Sequence, residues 1–381
     1  MMGKQKDMII YGAGRYAAFV YRSLWLRQET GRILCFAVTQ MEGQPSQLYG
    51  VPVRKFDEVK AYGSAVTVIL AMKQAEPVKS MLMQEGIEQL YVVTPDIMQT
   101  IQTEWKEYLE SLPIQRNKIV FSCFGGKGYE CNCKYIAEEL LKKNKALDLV
   151  WGVEREGMYQ FPEGIRQAEY NSPAYEAEVY SAAVMVSNME NAPKYKRREL
   201  YFINTWHGTG PFKKARASLQ MYKKNTEWLE QERKASNKTD LCISNSADNS
   251  QMFRESFLYE GEILECGNPR NDLLFKPEDT RSRVLQFLGI PTDKKIVLYA
   301  PTFRETIEES FSKYTLDWKK VLPALEKRFG DPFVLLYRFH QKLRDYKQFE
   351  DFYSFAVNVT MYPDVMELVV AADVLVTDYS S

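Results

Sequence analysis

The segment MIIYGAGRYAAFVYRSLWLRQ, residues 8–28, places a short apolar run directly before a glycine-containing turn and a helical pattern. The strand-like runs ILCFAV, AVTVILAM and LYVV follow it, with amphipathic segments between them. Strands that alternate with helices at this spacing predict a parallel α/β sheet. We therefore expect a first α/β domain over residues 1–95.

Two further α/β units are predicted beyond a helical connector, residues 96–114. The second unit, residues 115–285, opens with KIVFSCFGG and continues through the strand candidates LDLVWGV, AAVMVSN, LYFINTWHG and DLCISNS. The third unit, residues 286–381, runs from KKIVLYAPTFRE to DVLVTDYSS, where the sequence stops in the middle of the pattern. We expect this last unit to be incomplete.

The composition is ordinary for a water-soluble globular protein. The chain has 381 residues, too many for one compact core, with 45% hydrophobic and 26% charged residues. Because 50 Lys and Arg balance 50 Asp and Glu, no overall charge attracts nucleic acid, and we predict no nucleic-acid partner. No apolar run approaches the roughly 20 residues that span a bilayer, and no signal peptide is visible. We expect a cytoplasmic protein.

Six scattered cysteines include one close pair, Cys131 and Cys133. No second pair and no histidine lies near them in the sequence, so the spacing does not predict a zinc site. We expect reduced cysteines, as is usual in the cytosol.

The turn after the first strand has the pattern Gly12-x-Gly14-x-x-Ala17, which fits a dinucleotide-binding fingerprint. Small residues there would let a phosphate approach the N-terminus of the following helix. The fingerprint also requires an acidic residue after the second strand, where this chain has Thr39 and Gln40. Two interpretations stay open: nucleotide binding at Gly12 and Gly14, or a tight structural turn.

The segment NTWHGTG, residues 204–210, contains His207, one of only two histidines in the chain. It follows the apolar run LYFI and so lies at the carboxyl end of a strand, the edge where open α/β sheets bind ligands. His340 follows the strand FVLLY in a similar way. A lone histidine is often structural, but placement at a strand end beside small residues favours a functional role. We predict that both histidines face one cleft from opposite lobes.

Polar side chains follow several predicted strands in the same way. They are Thr209 in NTWHGTG, Arg270, Asn271 and Asp272 in GNPRNDLLF, Thr302 and Arg304 in YAPTFRE, Arg338 in LLYRFHQ, and Thr377, Asp378, Ser380 and Ser381 in VTDYSS. Each string alone is more typical of a turn or cap. Together, guanidinium groups, hydroxyls and histidines at one edge of the predicted sheets are typical of a site that binds a phosphate-bearing ligand.

The motifs NTWHGTG, ISNSADNSQMFRESF, GNPRNDLLF, YAPTFRE and MELVVAADVLVTDYSS, in this order and spacing, resemble the CDP-glycerol glycerophosphotransferase family, which primes and polymerises wall teichoic acids and related polymers. The resemblance covers roughly residues 115–381, while residues 1–95 resemble Rossmann-like modules of nucleotide-sugar and acyltransferase proteins. It implies an α/β fold with a GT-B-like pair of Rossmann-like lobes after a small Rossmann-like domain. The acceptor-side lobe would be residues 115–285, and the donor-nucleotide lobe, residues 286–381, would be truncated.

The resemblance also implies roles for individual residues. His207 would be the general base on the acceptor hydroxyl, and His340 would help to hold the donor pyrophosphate. The family often reads His-Pro where this chain has His340 and Gln341. The residues implied around the donor are Arg270, Glu367, Asp378, Ser380 and Ser381, with Thr302 and Arg304 as further candidates.

The implied reaction is attack by an acceptor hydroxyl on the phosphorus next to glycerol, with release of CMP. The implied donor is CDP-glycerol or CDP-ribitol, and the acceptor is lipid-linked or a glycan. Asp-x-Asp, the usual carboxylate pair for a nucleotide-bound metal, does not occur in the sequence, and we predict no cofactor and no essential metal.

Two basic stretches, KYKRREL and PFKKARASLQMYKK, flank His207. They are consistent with a solvated face or with a patch that meets an anionic acceptor or the inner leaflet of the membrane. We expect peripheral attachment to that leaflet. Two other functions stay open: a GT-B glycosyltransferase that uses a nucleotide sugar, and a non-catalytic binding subunit with a decayed donor lobe.

Overall fold

A computed structural model of the chain describes residues 6–189, 193, 196–208, 217, 225–275, 277–304, 306, 309–310, 313, 316–340, 343 and 353–379, with the side chains of 277 and 278 excepted. The chain forms two compact units. The first contains residues 1–115 and 168–181, and the second contains residues 116–167 and 182–381. Within the described ranges, no helix is long and apolar enough to cross a membrane.

The first unit is built on a six-stranded sheet with the order β3-β4-β2-β1-β5-β6. Its strands are β1 (Met8–Tyr11), β2 (Ile33–Val38), β3 (Gln47–Leu48), β4 (Val51–Lys55), β5 (Thr67–Leu70) and β6 (Leu90–Val92). Only the short β3 pairs in the antiparallel sense, with β4. The apolar runs of β1, β2 and β5 are buried, as expected for central parallel strands that are covered on both faces.

Among its described residues this unit has five α-helices: α1 (Arg15–Leu26), α2 (Phe56–Val59), α3 (Glu76–Gln84), α4 (Pro95–Ser111) and α6 (Pro173–Ser181). Helix α6 is joined to the others by buried polar contacts. Glu176 accepts hydrogen bonds from the Trp105 indole at 2.8 Å and from Nε of Arg22 at 3.0 Å, and Arg22 is only 4% exposed. We expected the first domain to end at residue 95, with a separate connector after it. The compact unit instead includes that connector as α4 and takes in α6 from the middle of the sequence.

The second unit contains a seven-stranded sheet with the order β13-β12-β11-β10-β7-β8-β9. Its strands are β7 (Gln115–Ser122), β8 (Asp148–Val153), β9 (Ile165–Glu169), β10 (Ala182–Ser187), β11 (Tyr201–Asn204), β12 (Leu241–Ser244) and β13 (Glu262–Glu265). The accompanying helices are α5 (Cys131–Lys143), α7 (Thr226–Ser236) and α8 (Ala247–Ser256). Strands β10 to β13 run parallel, so their carboxyl ends share one edge of the sheet.

The same unit contains a second, four-stranded parallel sheet with the order β16-β15-β14-β17. Its strands are β14 (Lys295–Ala300), β15 (Phe333–Tyr337), β16 (Val357–Asn358) and β17 (Val374–Thr377). The helices are α9 (Pro277–Leu288), α10 (Trp318–Phe329) and α11 (Val365–Ala371). Apolar residues of β14 and β15 form a core with α9 and α11 on one face and Trp318 of α10 on the other. The prediction of an α/β protein with several parallel sheets is confirmed.

Candidate active site

His207 lies three residues beyond β11, in a loop at the carboxyl edge of the seven-stranded sheet. Its ring atom Nδ1 is 2.6 Å from the carbonyl oxygen of Asn188, which follows β10. A carbonyl oxygen only accepts hydrogen bonds, so Nδ1 must carry the hydrogen. In the neutral ring the lone pair is then on Nε2, the nitrogen that can accept a proton.

Aromatic rings surround the His207 side chain. The Trp206 ring lies with its centroid 4.0 Å away, and the Phe124 ring approaches edge-on at 5.2 Å. Trp206 itself packs against Phe257 at 4.7 Å, beside the hydrophobic cluster under α8. The imidazole is half-buried, and these rings restrict its orientation.

Unusual backbone conformations concentrate around the same histidine. Among the described residues, seven non-glycine residues have positive φ, and three of them are Phe124, Cys131 and Trp206. Phe124 and Trp206 contact the His207 ring, and Cys131 contacts Arg270. Bulky residues rarely adopt this conformation, and such strain tends to gather at functional sites.

Asn188 is a fully buried amide that contacts both His207 and the loop after β7. Its Oδ1 accepts the backbone N–H of Phe124 at 2.8 Å, and its Nδ2 donates to Sγ of Cys123 at 3.3 Å. The residue therefore ties the loop after β7 to the end of β10 and presents its own carbonyl to His207. We did not identify it from the sequence, where VSN reads only as a strand end.

Arg270 lies in a 3₁₀ turn, Pro269–Phe275, that follows β13. Its guanidinium donates to the carbonyl oxygen of His207 at 3.0 Å and lies 3.5 Å from Sγ of Cys131. Burial raises the pKa of the Cys131 thiol, although the Arg270 cation opposes that shift. The structure thus brings together His207 and Arg270, two of the candidate residues that were predicted separately. Asn271 caps the turn through its N–H to the Asn268 carbonyl at 2.8 Å, and Asp272 lies near Cys266.

Thr302, Arg304 and Asp378 meet at the carboxyl edge of the four-stranded sheet. One Asp378 oxygen accepts from the Thr302 N–H at 2.8 Å and from the Thr302 hydroxyl at 2.5 Å, and the other pairs with Arg304. Burial tends to raise the pKa of the Asp378 carboxyl, but the hydrogen bonds from Thr302 and Arg304 outweigh it and hold that pKa below its ordinary value. Thr377 donates to the Ala300 carbonyl at 2.7 Å.

His340 is exposed beyond the end of β15, with its ring 5.2 Å from that of Phe303. Arg338, two residues earlier, is only 9% exposed. Its guanidinium donates to the carbonyls of Tyr362 and Val359, at 2.5 and 3.2 Å, and lies 3.8 Å from the Glu130 carboxylate. Burial lowers the Arg338 pKa, with Glu130 acting in the opposite sense. Arg338 is thus buried and hydrogen-bonded within the protein, whereas His340 is exposed at the surface.

Glu367 belongs to a polar network between α5 and α11. Its Oε1 is 3.2 Å from Nζ of Lys134 and 3.3 Å from Arg283, and its Oε2 accepts the Tyr362 hydroxyl at 2.7 Å. Lys134 also pairs with Asp364 at 2.8 Å. Burial disfavours the Lys134 cation, but the two carboxylates outweigh it and raise its pKa.

The remaining predicted residues are placed as follows. Gly12 has φ +122°, and an added Cβ would lie 2.8 Å from the Ala71 carbonyl oxygen, so this position requires glycine. Gly14 precedes α1 with ordinary φ and open space around it. Thr209, Ser380 and Ser381 lie outside the described residues, as do the first two residues of the stretch KYKRREL and all of PFKKARASLQMYKK except Ala217. Within the described ranges, no group of three or more His, Cys, Asp or Glu side chains is arranged to hold a metal ion.

The sequence profile of one family matches most of the chain. The family is described as CDP-Glycerol:Poly(glycerophosphate) glycerophosphotransferase, and the match covers residues 106–381. A teichoic acid poly(glycerol phosphate) polymerase of Staphylococcus epidermidis is 32% identical over 284 residues, which cover 70% of this chain and 38% of that protein. A teichoic acid glycerol-phosphate transferase of Staphylococcus aureus is 31% identical over 297 residues, with 75% and 74% of the two chains covered.

Solved structures of the wall teichoic acid polymerase TagF share this fold. One variant superposes with a TM-score of 0.61 at 28% identity and covers 75% of this chain and 72% of that one. A second variant, soaked with CDPG, gives 0.63 at 29% identity, with 74% and 70% covered. The likeness identifies a GT-B-like fold. The chain spans 38% and 37% of the length of two of the curated polymerases that it matches.

Proposed function

This chain belongs to the CDP-glycerol:poly(glycerophosphate) glycerophosphotransferase family, and we propose that it transfers glycerol phosphate from CDP-glycerol to an acceptor hydroxyl. The observation that carries the proposal is the hydrogen bond from Nδ1 of His207 to the Asn188 carbonyl. It sets the tautomer that a general base needs, at a strand-end loop of an α/β sheet.

In the proposed reaction the acceptor oxygen forms a bond to the phosphorus that bears glycerol. The bond from that phosphorus to the bridging oxygen breaks, and CMP leaves with the electron pair. The hydroxyl proton passes to Nε2 of His207. A free histidine has a pKa of about 6.5, so the neutral ring is available near neutral pH.

The second sheet supplies the proposed donor side. Arg304, Thr302 and Asp378 form one connected group at its carboxyl edge, and His340 is exposed at the same edge. An arginine that is oriented by a carboxylate suits phosphate oxygens. We propose that this edge holds the CDP moiety, with His340 on the pyrophosphate, and that Arg270, Glu367, Thr377, Ser380 and Ser381 lie around the donor.

The acceptor that we propose is a lipid-linked or glycan hydroxyl at the inner face of the cell membrane. The support comes from the basic stretches on both sides of His207 and from relatives that act in teichoic acid synthesis. A cosedimentation assay tests the location: the protein should bind anionic vesicles in low salt and release in high salt. Equal binding to neutral vesicles would count against it.

Donor specificity is the decisive test of the function. The protein is incubated with a soluble acceptor analogue and labelled CDP-glycerol, CDP-ribitol or UDP-glucose, and release of CMP or UDP is measured. We expect CMP release from CDP-glycerol. Preference for CDP-ribitol would fit the 26%-identical poly(ribitol-phosphate) polymerase of Bacillus spizizenii. Release of UDP alone would identify a glycosyltransferase, and release of neither nucleotide would favour a binding subunit.

A further inference from the structure

The first turn of α5 contacts both loops that build the His207 site, and we propose that Asn132 is the positioning residue of His207. The motif that contains it, ECNCK, stood out in the sequence only for its two cysteines. The proposal rests on the general-base role proposed above for His207, and it names the residue that holds that base in place.

All polar atoms of the buried Asn132 side chain are used. The residue is 0% exposed, and its Nδ2 donates to the carbonyl oxygens of Thr205 at 3.2 Å and Trp206 at 3.3 Å. Its Oδ1 accepts the backbone N–H of Arg270 at 3.2 Å. Turning the amide over would set an NH₂ group against an N–H and an oxygen against two carbonyls, so the network defines its orientation.

These contacts hold the backbone on both sides of the histidine. The two carbonyls that Asn132 binds belong to the residues directly before His207. The carbonyl of His207 itself is held by the guanidinium of Arg270, whose backbone Asn132 also binds. Trp206, which lies between Thr205 and His207 in the chain, has φ +50°. A bulky residue keeps this conformation only when its surroundings enforce it. Asn132 supplies that enforcement.

Helix α5 also links this loop to the four-stranded sheet. Lys134, two residues after Asn132, pairs with Asp364 and Glu367 at the start of α11. Glu130, two residues before it, lies beside Arg338, which directly follows β15, the strand that leads to His340. One helical turn therefore sets where His207 stands relative to the sheet that carries the proposed donor site.

The test replaces Asn132 by aspartate, which keeps its shape and its acceptor but loses the two donated hydrogens. We expect kcat with CDP-glycerol to fall by a factor of about 10–10² while KM for the donor changes less than about threefold, because a misplaced base slows chemistry without loosening the donor. Asn117→Asp is the matched control: its amide donates to the Ala146 carbonyl at 3.1 Å, away from the histidine loops, and kcat should stay unchanged.

A spectroscopic measurement separates positioning from general damage. With only two histidines in the chain, ¹⁵N-histidine NMR gives two ring patterns, and the His340→Gln variant assigns them. Wild-type His207 should show hydrogen on Nδ1. Asn132→Asp sets an oxygen against two carbonyls and should lower the melting temperature, but at temperatures where the variant is folded it should show a mixture of His207 tautomers. Should that variant not fold, Asn132→Ser, which keeps one donor, is measured in its place.

An unchanged His207 tautomer in a folded variant overturns the inference, as does a loss of activity through KM alone. An inactive wild type with the expected tautomer shift would reject the proposed function and retain the positioning role.

Discussion

At the scale of single residues, alanine substitution of the two histidines should affect turnover and donor binding differently. His207→Ala removes the proton acceptor whose orientation the Asn188 carbonyl sets, so we expect kcat to fall by a factor of about 10² or more. The donor dissociation constant should hardly change, because the base acts on the acceptor. Steady-state kinetics with CDP-glycerol and isothermal titration measure the two quantities. A higher KM for donor with full turnover would remove the base assignment.

His340→Ala should weaken donor binding as well as turnover. The exposed ring lies beside Phe303 at the edge where Arg304 and Asp378 meet, and a contact to phosphate oxygens there would exist before the transition state. Titration with CDP-glycerol should show the weaker binding in this variant. Wild-type donor affinity would place His340 outside the donor site.

The residues that we propose to act on substrate were easier to predict than those that hold them. His207, Arg270, Thr302, Arg304 and Asp378 follow apolar runs, and this shared placement together with the family resemblance pointed to them. Asn188 also follows an apolar strand and Asn132 does not, but neither residue stands out in the sequence, because their importance lies in hydrogen bonds to residues 19 and 73 positions away, respectively. Long-range contacts of this kind leave no local pattern in a single sequence.

At the scale of elements, the pairing between α5 and α11 should contribute strongly to stability. Lys134→Met leaves the carboxylates of Asp364 and Glu367, which are 1% and 16% exposed, without their shared cation. Breaking a buried ion pair in this way costs about 3 kcal/mol or more. Urea denaturation should show the loss as a lower midpoint.

Lys142→Met on the same helix is the matched control. Its partner Glu139 is 3.9 Å away and both side chains are largely exposed, so we expect a change within about 0.5 kcal/mol. Equal effects of the two substitutions would mean that the α5–α11 network adds nothing beyond a surface pair.

The start of β17 should make the four-stranded sheet sensitive to acid. Burial tends to raise the Asp373 pKa, but the Ile296 N–H, Arg281 and Lys295 outweigh it and lower that pKa. The stabilisation is therefore present above about pH 4, the ordinary Asp value, and is lost as pH falls through the lower folded value. Asp373→Asn should lower the urea midpoint at pH 6 and have less effect at pH 3. An equal effect at both pH values would contradict this account.

Helices and strands with strong apolar patterns were predicted well, and those held by tertiary contacts were not. The runs ILCFAV and DIMQTIQTEWKEYLESL correspond to β2 and α4 within a residue. Helix α6, by contrast, owes its place in the first unit to Glu176, whose partners Arg22 and Trp105 are distant in sequence. Nothing in its local sequence indicates that attachment.

At the scale of the whole molecule, we expect the glycine turn of the first unit to have no part in the transfer reaction. Gly14→Asp is sterically allowed, because an added Cβ meets nothing within 4 Å, and aspartate is a favoured residue at this N-cap position. It would nevertheless repel a phosphate bound there. CMP release from CDP-glycerol should match that of the neutral control Gly14→Asn. A selective loss in the aspartate variant would assign the donor to this turn.

The division of the first unit between residues 1–115 and 168–181 has a consequence for biosynthesis. A ribosome must add residues 116–167 before the helix that accepts Arg22 and Trp105 exists, so the amino-terminal unit cannot finish folding when its own sheet emerges. During that interval the Trp105 indole, which later donates a hydrogen bond to Glu176 of α6, lacks that partner. Exposed apolar surface of this kind is recognised by chaperones. A fragment of residues 1–115 should be digested faster by protease than the same fragment with residues 168–181 tethered to it. The amino-terminal unit therefore becomes complete only after residues 116–167 of the second unit have been made.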